Sequence, residues 1–263
     1  DTGHILRSAA INLQIQEDPE EQEEPVKLTF TGDVGRPGDK ILCSPEPFRQ
    51  ADAVITESTY GVKQHSKPEE LDQKLENEVW EACENQGGKL LIPAFSLDRT
   101  QDIVYILNNL YQQGRLPNVK VFVDSPLANK VTTIMRENAS TFNQDMLRSM
   151  RKNPRPFEFA NLYYTEGKAD SKALNDLSEP AVIISSSGMM EGGRIVHHLI
   201  HQIDKPENTV LLVGFSAPGT LGREISEVPE EVEIRNKPYQ VRARIRSIDG
   251  FSAHADAEEL VSY

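Results

Sequence analysis

Four polar positions, far apart in the chain, stand where apolar or small residues give way to reactive ones. His4 lies in Thr2-Gly3-His4-Ile5-Leu6, and Asp33 closes Phe30-Thr31-Gly32-Asp33. Glu57 ends an apolar run in Ile55-Thr56-Glu57-Ser58-Thr59-Tyr60-Gly61, and His254 sits in Gly250-Phe251-Ser252-Ala253-His254-Ala255-Asp256. Imidazole and carboxylate are ordinary zinc ligands, and a carboxylate can bridge two ions. The same groups move protons near neutral pH. A glycine turn with small residues after the strand-like run 241–248 would hold the His254 ring at a strand end with little steric cover. Each position taken alone has a plainer reading. Asp33 and Glu57 could cap turns or helices, His4 could be an exposed chain-start residue, and His254 could be structural.

A second group of polar residues follows apolar runs in the middle of the chain. The loops are 96–101 (Ser96, Arg99), 124–126, 185–194 (Ser186, Ser187, Gly188, Arg194) and 214–220 (Thr220), with Arg223 just beyond. Strands of a parallel sheet end on one edge, where ligands of open α/β sheets bind. Serine hydroxyls and glycine-freed amides before helix starts suit anionic oxygens. The alternative is plain turn chemistry, which uses the same residues. No Walker-type or G-x-G-x-x-G spacing occurs, so no nucleotide cofactor site is read. His197 and His201 are four apart, a spacing that can bind zinc, but no third ligand accompanies them. The reading for His197, His198 and His201 is a polar, partly exposed helix face, and His65 is given no role.

The elements needed to position these residues follow from periodicity. Residues 10–15 and 26–30 read as antiparallel strands across an acidic tip, and 53–56 as a short buried strand. Residues 67–85 have helical spacing through Leu71, Leu75, Val79 and Ala82. Apolar runs at 90–95, 119–124, 181–184 and 209–213 then alternate with helical segments, the pattern of a parallel sheet covered on both faces. The expected fold class is therefore α/β. The expected domains are a β-rich half (1–61), an inserted doubly wound domain (62–225) and a return to the first half (226–263).

The formal net charge of −13 argues against a generic basic nucleic-acid binder. Much of the acid is local, in the proline-bounded run 17–25, which reads as a solvated loop. Basic residues cluster at Arg148, Arg151, Lys152 and Arg155, and at Arg242, Arg244 and Arg246. Cys43 and Cys83 lack metal or disulfide spacing, so free thiols in a reducing compartment, and hence the cytoplasm, are expected. No apolar run has the length of a membrane span.

The motifs and their order resemble the metallo-β-lactamase-fold nucleases of the β-CASP family, which includes the mRNA 3′-end-processing endonuclease subunit and ribonuclease J. The resemblance implies a metallo-β-lactamase αβ/βα sandwich carrying an inserted doubly wound β-CASP domain. It also implies zinc-dependent RNA hydrolysis, endonucleolytic or 5′-exonucleolytic. By resemblance His4 ligates zinc, Asp33 bridges two zinc ions, Glu57 orients a histidine, and His254 protonates the leaving 3′-oxygen. The polar loops would hold the RNA backbone; a homodimer is compatible with this reading, and a membrane is not expected. The sequence departs from the family at three places. The upstream H-x-H-x-D-H cluster is absent, a last C-terminal histidine is absent, and Arg7 replaces a usual glycine. The chain accordingly reads as a fragment that holds little zinc alone. The alternatives are a non-catalytic RNA-binding or regulatory relative, and a small-molecule metallo-hydrolase.

Overall fold

A computed structural model describes all residues except 17–23, 48–49 and 66–67, so the acidic run lies, up to Glu23, outside the described residues. The chain forms two compact units, residues 1–65 with 138–151 and 253–263, and residues 66–137 with 152–252.

In the first unit, β1 (Ile11–Ile15), β2 (Val26–Phe30) and β3 (Ala53–Ile55) form one sheet in that order. β1 and β2 are antiparallel with Ile11 opposite Phe30, as alternation predicts. β3 runs parallel to β2, with Leu28 beside Ala53. The expectation that β3 is buried is not met. It is an edge strand with a single partner, and all three of its residues are exposed.

In the second unit, α1 (Pro68–Val79) runs into a π-helical turn at Trp80–Asn85. There follow β4 (Lys89–Pro93), α2 (Arg99–Gln112), β5 (Lys120–Asp124) and α3 (Pro126–Glu137). The chain then visits the first unit through α4 (Gln144–Met150) and returns. Next come β6 (Leu162–Tyr164), α5 (Lys168–Asp176), β7 (Ala181–Ser185), α6 (Ile195–Gln202), β8 (Thr209–Leu212) and α7 (Leu221–Ser226). A short antiparallel pair, β9 (Glu231–Glu233) and β10 (Pro238–Gln240), precedes β11 (Arg244–Ser247). The chain closes in the first unit with α8 (Ala257–Ser262).

The sheet order is β11-β8-β4-β7-β5-β6, and every pairing is parallel. Leu90, Leu91, Ile92, Val182, Ile183 and Ile184 are fully buried, as an interior strand covered on both faces requires. Each such aliphatic side chain contributes roughly 1.5–3 kcal/mol by leaving water. The expected doubly wound sheet is thus present.

The compact units are bounded at other residues than the expected domains. Residues 138–151 belong with the first unit, where the Asn143 side chain donates to the Asp39 and Leu42 carbonyls at 2.7 and 3.0 Å. Residues 226–252 pack with the parallel sheet, because β11 pairs with β8 in register Ile245 to Val210. The basic clusters are partly neutralised locally. Arg244 meets Glu81 at 2.7 Å, Arg246 meets Glu78 at 3.2 Å, and Arg148 pairs with Asp145. Among the described residues, no helix is long and apolar enough to cross a membrane.

Candidate metal and catalytic site

His4 is held by a tight turn at the chain start. The Ser8 hydroxyl accepts the His4 amide at 3.1 Å and the Thr2 hydroxyl at 2.8 Å, while the Thr2 amide donates to the Ser8 carbonyl at 3.0 Å. The turn lies against the 32–36 loop, where the Gly35 amide donates to the Thr2 carbonyl at 2.7 Å. A Cβ at Gly35 would overlap the Gly3 carbonyl and the His4 nitrogen, so only glycine lets the two loops approach. That approach sets His4 Nε2 3.6 Å from the exposed Asp33 carboxylate.

Glu57 ties three segments together. One of its oxygens accepts the Val34 amide at 2.6 Å, and its carboxylate accepts the His254 Nδ1 proton at 2.9–3.0 Å. The Ala255 amide donates to the Val34 carbonyl at 2.8 Å, pinning the histidine loop to the loop that carries Asp33. The His4 and His254 rings stand 4.4 Å apart. His4, Asp33 and His254 each offer a ligand atom, all within 4.8 Å of one another, the one metal-suited His/Cys/Asp/Glu group among the described residues. The structure therefore brings together all four sequence-selected residues, and it places His254 near enough to be a third ligand.

Electrostatics suit a cation here. Burial, then the neighbouring His254, push the His4 pKa down, against the Ala253 carbonyl and the nearby carboxylates. His4 Nδ1–H donates to the Ala253 carbonyl at 3.2 Å, which leaves the Nε2 lone pair facing Asp33. Two acceptors 3.6 Å apart repel unless a cation or proton lies between them. A histidine whose other nitrogen is bound to a carbonyl is the usual form of a metal-binding imidazole. Burial pushes the Glu57 carboxyl up, but hydrogen bonds from His254, Thr59 and the Val34 amide outweigh it and hold the pKa at about 2. Glu57 is thus a fixed anion behind His254.

At the sheet's carboxyl edge, Ser96, Ser125 and Ser186 form a chain of hydroxyls at 3.0 and 2.7 Å across the ends of β4, β5 and β7. Ser187 turns its hydroxyl to the Gly192 carbonyl at 3.3 Å. Gly188 lies against Phe95, where a Cβ would come within 3.0 Å of the ring. Arg99, at the start of α2, is buried with Nε and Nη1 unpartnered and its guanidinium 5.8 Å above the Phe251 ring.

Three residues expected in this phosphate-binding set are engaged elsewhere. Arg194 donates to Asp124 at 2.7 Å and to the Thr165 and Glu166 carbonyls at 3.3 and 2.7 Å. Thr220 caps α7 and donates to the Ala217 carbonyl at 2.7 Å, and Arg223 pairs with Glu227 at 3.0 Å. The Glu191 carboxylate already accepts the first α7 amide, Leu221, at 2.6 Å. The hollow there is lined by Glu191, Glu224, Glu227 and Glu233, the wrong charge for phosphate.

The partner of Arg194 was missed in the sequence. Asp124 is fully buried, accepts from His198 Nε2 at 2.7 Å and Ser171 at 2.6 Å, and His198 Nδ1 meets the Asn175 amide oxygen at 2.8 Å. Burial raises the Asp124 pKa, but bonds from His198, Ser171 and Arg194 win and the net shift is downward. His198 is therefore a core residue, not part of an exposed face. His197, its neighbour, meets the Arg235 guanidinium at 3.1 Å, which opposes a cation there. Asp256 was also passed over, although Asp256-x-x-Glu259 is a legible capping box and caps α8 as one.

The first unit carries a His/carboxylate cluster, and the second a parallel sheet with helices between its strands. Residues 100–225 match the Beta-Casp domain and residues 238–263 the Zn-dependent metallo-hydrolase RNA specificity domain, so the chain carries β-CASP domains of the metallo-β-lactamase superfamily. It is 36% identical over 262 residues to a ribonuclease of Thermus thermophilus, covering 99% of this chain and 58% of that protein. It is 32% identical over 264 residues to an RNase J-like protein of Methanocaldococcus jannaschii, with the same coverage. Against the transcription termination factor FttA of Methanothermobacter thermautotrophicus it is 28% identical over 271 residues, 99% of this chain and 41% of that protein. The chain spans about half the length of these relatives.

Proposed function

We propose that the full-length protein hydrolyses RNA phosphodiester bonds with zinc, and that this chain supplies part of its metal site, its proton donor and a phosphate-binding edge. The observation that carries the reading is the convergence of His4, Asp33, Glu57 and His254, with the Nδ1 atoms of both histidines already engaged. His4 through Nε2 and Asp33 through its carboxylate would hold metal, two zinc ions being what the family resemblance implies. Zinc, when bound, polarises the phosphate and lowers the pKa of a bound water. Glu57 takes the Nδ1 proton of His254 in a hydrogen bond, so the proton that moves to the leaving 3′-oxygen is one held at Nε2. Ser96, Ser186 and Gly188 offer hydroxyls and an amide to backbone phosphates, and the Arg99 cation adds attraction, while the Ser187 amide and hydroxyl both donate to the Gly192 carbonyl and so shape the loop. The ribonuclease relative and the RNA specificity domain support RNA as the substrate.

The test is His254→Ala in the full-length protein. Turnover should fall by about 10²- to 10⁴-fold with zinc retained. A substrate with an activated leaving group, which needs little protonation, should recover much of that rate. Loss of zinc would make His254 a ligand, and unchanged turnover would make it structural.

A further inference from the structure

We infer that Arg36 and Glu259 are a positioning pair for the proposed site: their ion pair fixes the loop that carries Asp33 against the loop that carries His254. The inference rests on the ribonuclease reading only in what the held groups do. Residues 33–36 touch each segment that brings in another site residue. The Val34 amide donates to the Glu57 carboxylate at 2.6 Å, and the Val34 carbonyl accepts the Ala255 amide at 2.8 Å. The Gly35 amide donates to the Thr2 carbonyl at 2.7 Å, in the turn that holds His4. The next residue, Arg36, sends its side chain to α8. Its Nε lies 3.2 Å from each Glu259 oxygen, and its Nη2 lies 3.2 Å from Oε1. Both side chains are largely buried. Glu259 Oε2 also accepts the Asp256 amide at 2.9 Å, and Asp256 Oδ1 accepts the Glu259 amide at 3.0 Å. A guanidinium just past Asp33 thus grips the carboxylate that fastens the chain just past His254.

Neither the helix nor its burial requires this pair. A glutamate at the third helical position completes a capping box without a cation. A buried ion pair often adds no stability over apolar side chains of similar volume. What it adds is direction, because the guanidinium fork meets a carboxylate in a fixed plane. The Ala255–Val34 bond and the Glu57 carboxylate already join the two loops beside the site. Arg36 and Glu259 join them at a second place, farther along both segments, and so oppose rotation about the first. The support matters because the loops have little regular structure of their own: residues 31–36 and 252–254 lie in no helix or strand. His4, Asp33 and His254 keep their ligand atoms within 4.8 Å of one another only while these loops hold their places. Reaction rates are sensitive to misplacements of about an ångström.

The experiment compares Arg36→Met, Arg36→Lys and Glu259→Gln in the full-length protein. Methionine keeps an unbranched stem and loses the fork and the charge; lysine keeps the charge and loses the fork. Glutamine still offers an oxygen to the Asp256 amide, so it keeps the cap and loses the charge. Arg36→Met and Glu259→Gln should each lower kcat about 10- to 100-fold with KM and zinc content near those of the parent, and Arg36→Lys should retain more of the rate. The double variant should lose no more than either single one, because both remove the same contact. A parental kcat in Glu259→Gln, single losses that multiply in the double variant, or a loss of rate wholly explained by lost zinc would each overturn the assignment. If Arg36→Met does not fold, Glu259→Gln and Arg36→Lys decide the matter. A readout without metal or RNA separates this inference from the ribonuclease reading. The His4 and His254 rings stand 4.4 Å apart, so histidine-labelled protein should show a nuclear Overhauser contact between them. That contact should weaken in Glu259→Gln and be better kept in Arg36→Lys. A weakened contact in a protein that cleaves no RNA would support the positioning role and sink the ribonuclease reading; an unchanged contact in Glu259→Gln would refute the positioning role.

Discussion

Two histidine–carboxylate pairs in this molecule look alike in chemistry and differ in burial and in their neighbours. His198 and Asp124 meet at 2.7 Å with both side chains wholly buried. Every nitrogen and oxygen of that pair has an internal partner, in Arg194, Ser171 or Asn175. His254 and Glu57 meet at 2.9 Å with the histidine 27% exposed. There only Nδ1 is bound to the carboxylate, and His4 and Asp33 stand beside the ring. The first pair holds strand ends and a helix in place, whereas the second stands in the group that could hold a metal ion. Distance and residue type do not tell the two apart; burial and the neighbouring ligand-type residues do.

The comparison breaks first at Asp33. Asp33→Ala in the full-length protein should lose activity and metal together, because Asp33 is proposed as a ligand rather than a proton donor. Activity should fall at least as far as in His254→Ala, and the activated substrate should not rescue it. Elemental analysis alongside turnover decides the matter: full zinc occupancy in Asp33→Ala would remove Asp33 from the metal site. The 263-residue chain alone, with His4 and Asp33 as its assigned ligands, should hold well under one zinc after dialysis.

A smaller effect, on stability rather than rate, is expected at the buried pair. Asp124→Asn keeps the shape and removes the charge that Arg194 and His198 face. Breaking one side of a buried ion pair costs about 3–5 kcal/mol, measurable as a shifted urea midpoint. A loss under about 1 kcal/mol would mean that the cluster is not the fastening described here. The pH dependence has a definite sign. The Asp124 pKa is lowered in the folded state, so its contribution is full above the ordinary carboxylate range and is lost as pH falls below it. The parent should therefore lose stability on acidification more steeply than Asp124→Asn.

The proposed site residues were legible because each ends a short local pattern: Glu57 and Asp33 each follow an apolar run, and His254 follows a glycine turn. The parallel sheet was legible from apolar runs such as 181–184, which leave no polar face. The Asp124–His198 pair was not, because its members are 74 residues apart and meet only once β5 lies beside β7. The loop at Thr220 reads as phosphate-suited until Glu191, 30 residues away from Leu221, is seen to fill the helix start. β11 carries alternating arginines, which read as an exposed β-rich segment; its pairing with β8 is a non-local fact that alternation cannot supply.

The smallest expected effect lies in the turn that presents His4, and it sharpens the contrast between a site carried on loops and a cluster carried on regular elements. Arg7 has φ of 63°, the left-handed region in which a side chain crowds the following carbonyl. The family resemblance implies glycine at this position, and the positive φ is a physical reason for one. Arg7 is exposed, so the substitution removes no packed contact. Arg7→Gly relieves the crowding, worth about 1–2 kcal/mol, but glycine also loses more backbone freedom on folding, which returns roughly 0.5–1 kcal/mol of that gain. The net expectation is a stabilisation of up to about 1.5 kcal/mol, seen as a small rise in urea midpoint with unchanged slope. The Ser8 hydroxyl, which accepts the His4 and Thr2 groups, would keep the turn closed, so zinc affinity in the full-length protein should hold or rise slightly. A destabilised Arg7→Gly protein would show that the arginine contributes a contact that outweighs the strain at φ of 63°.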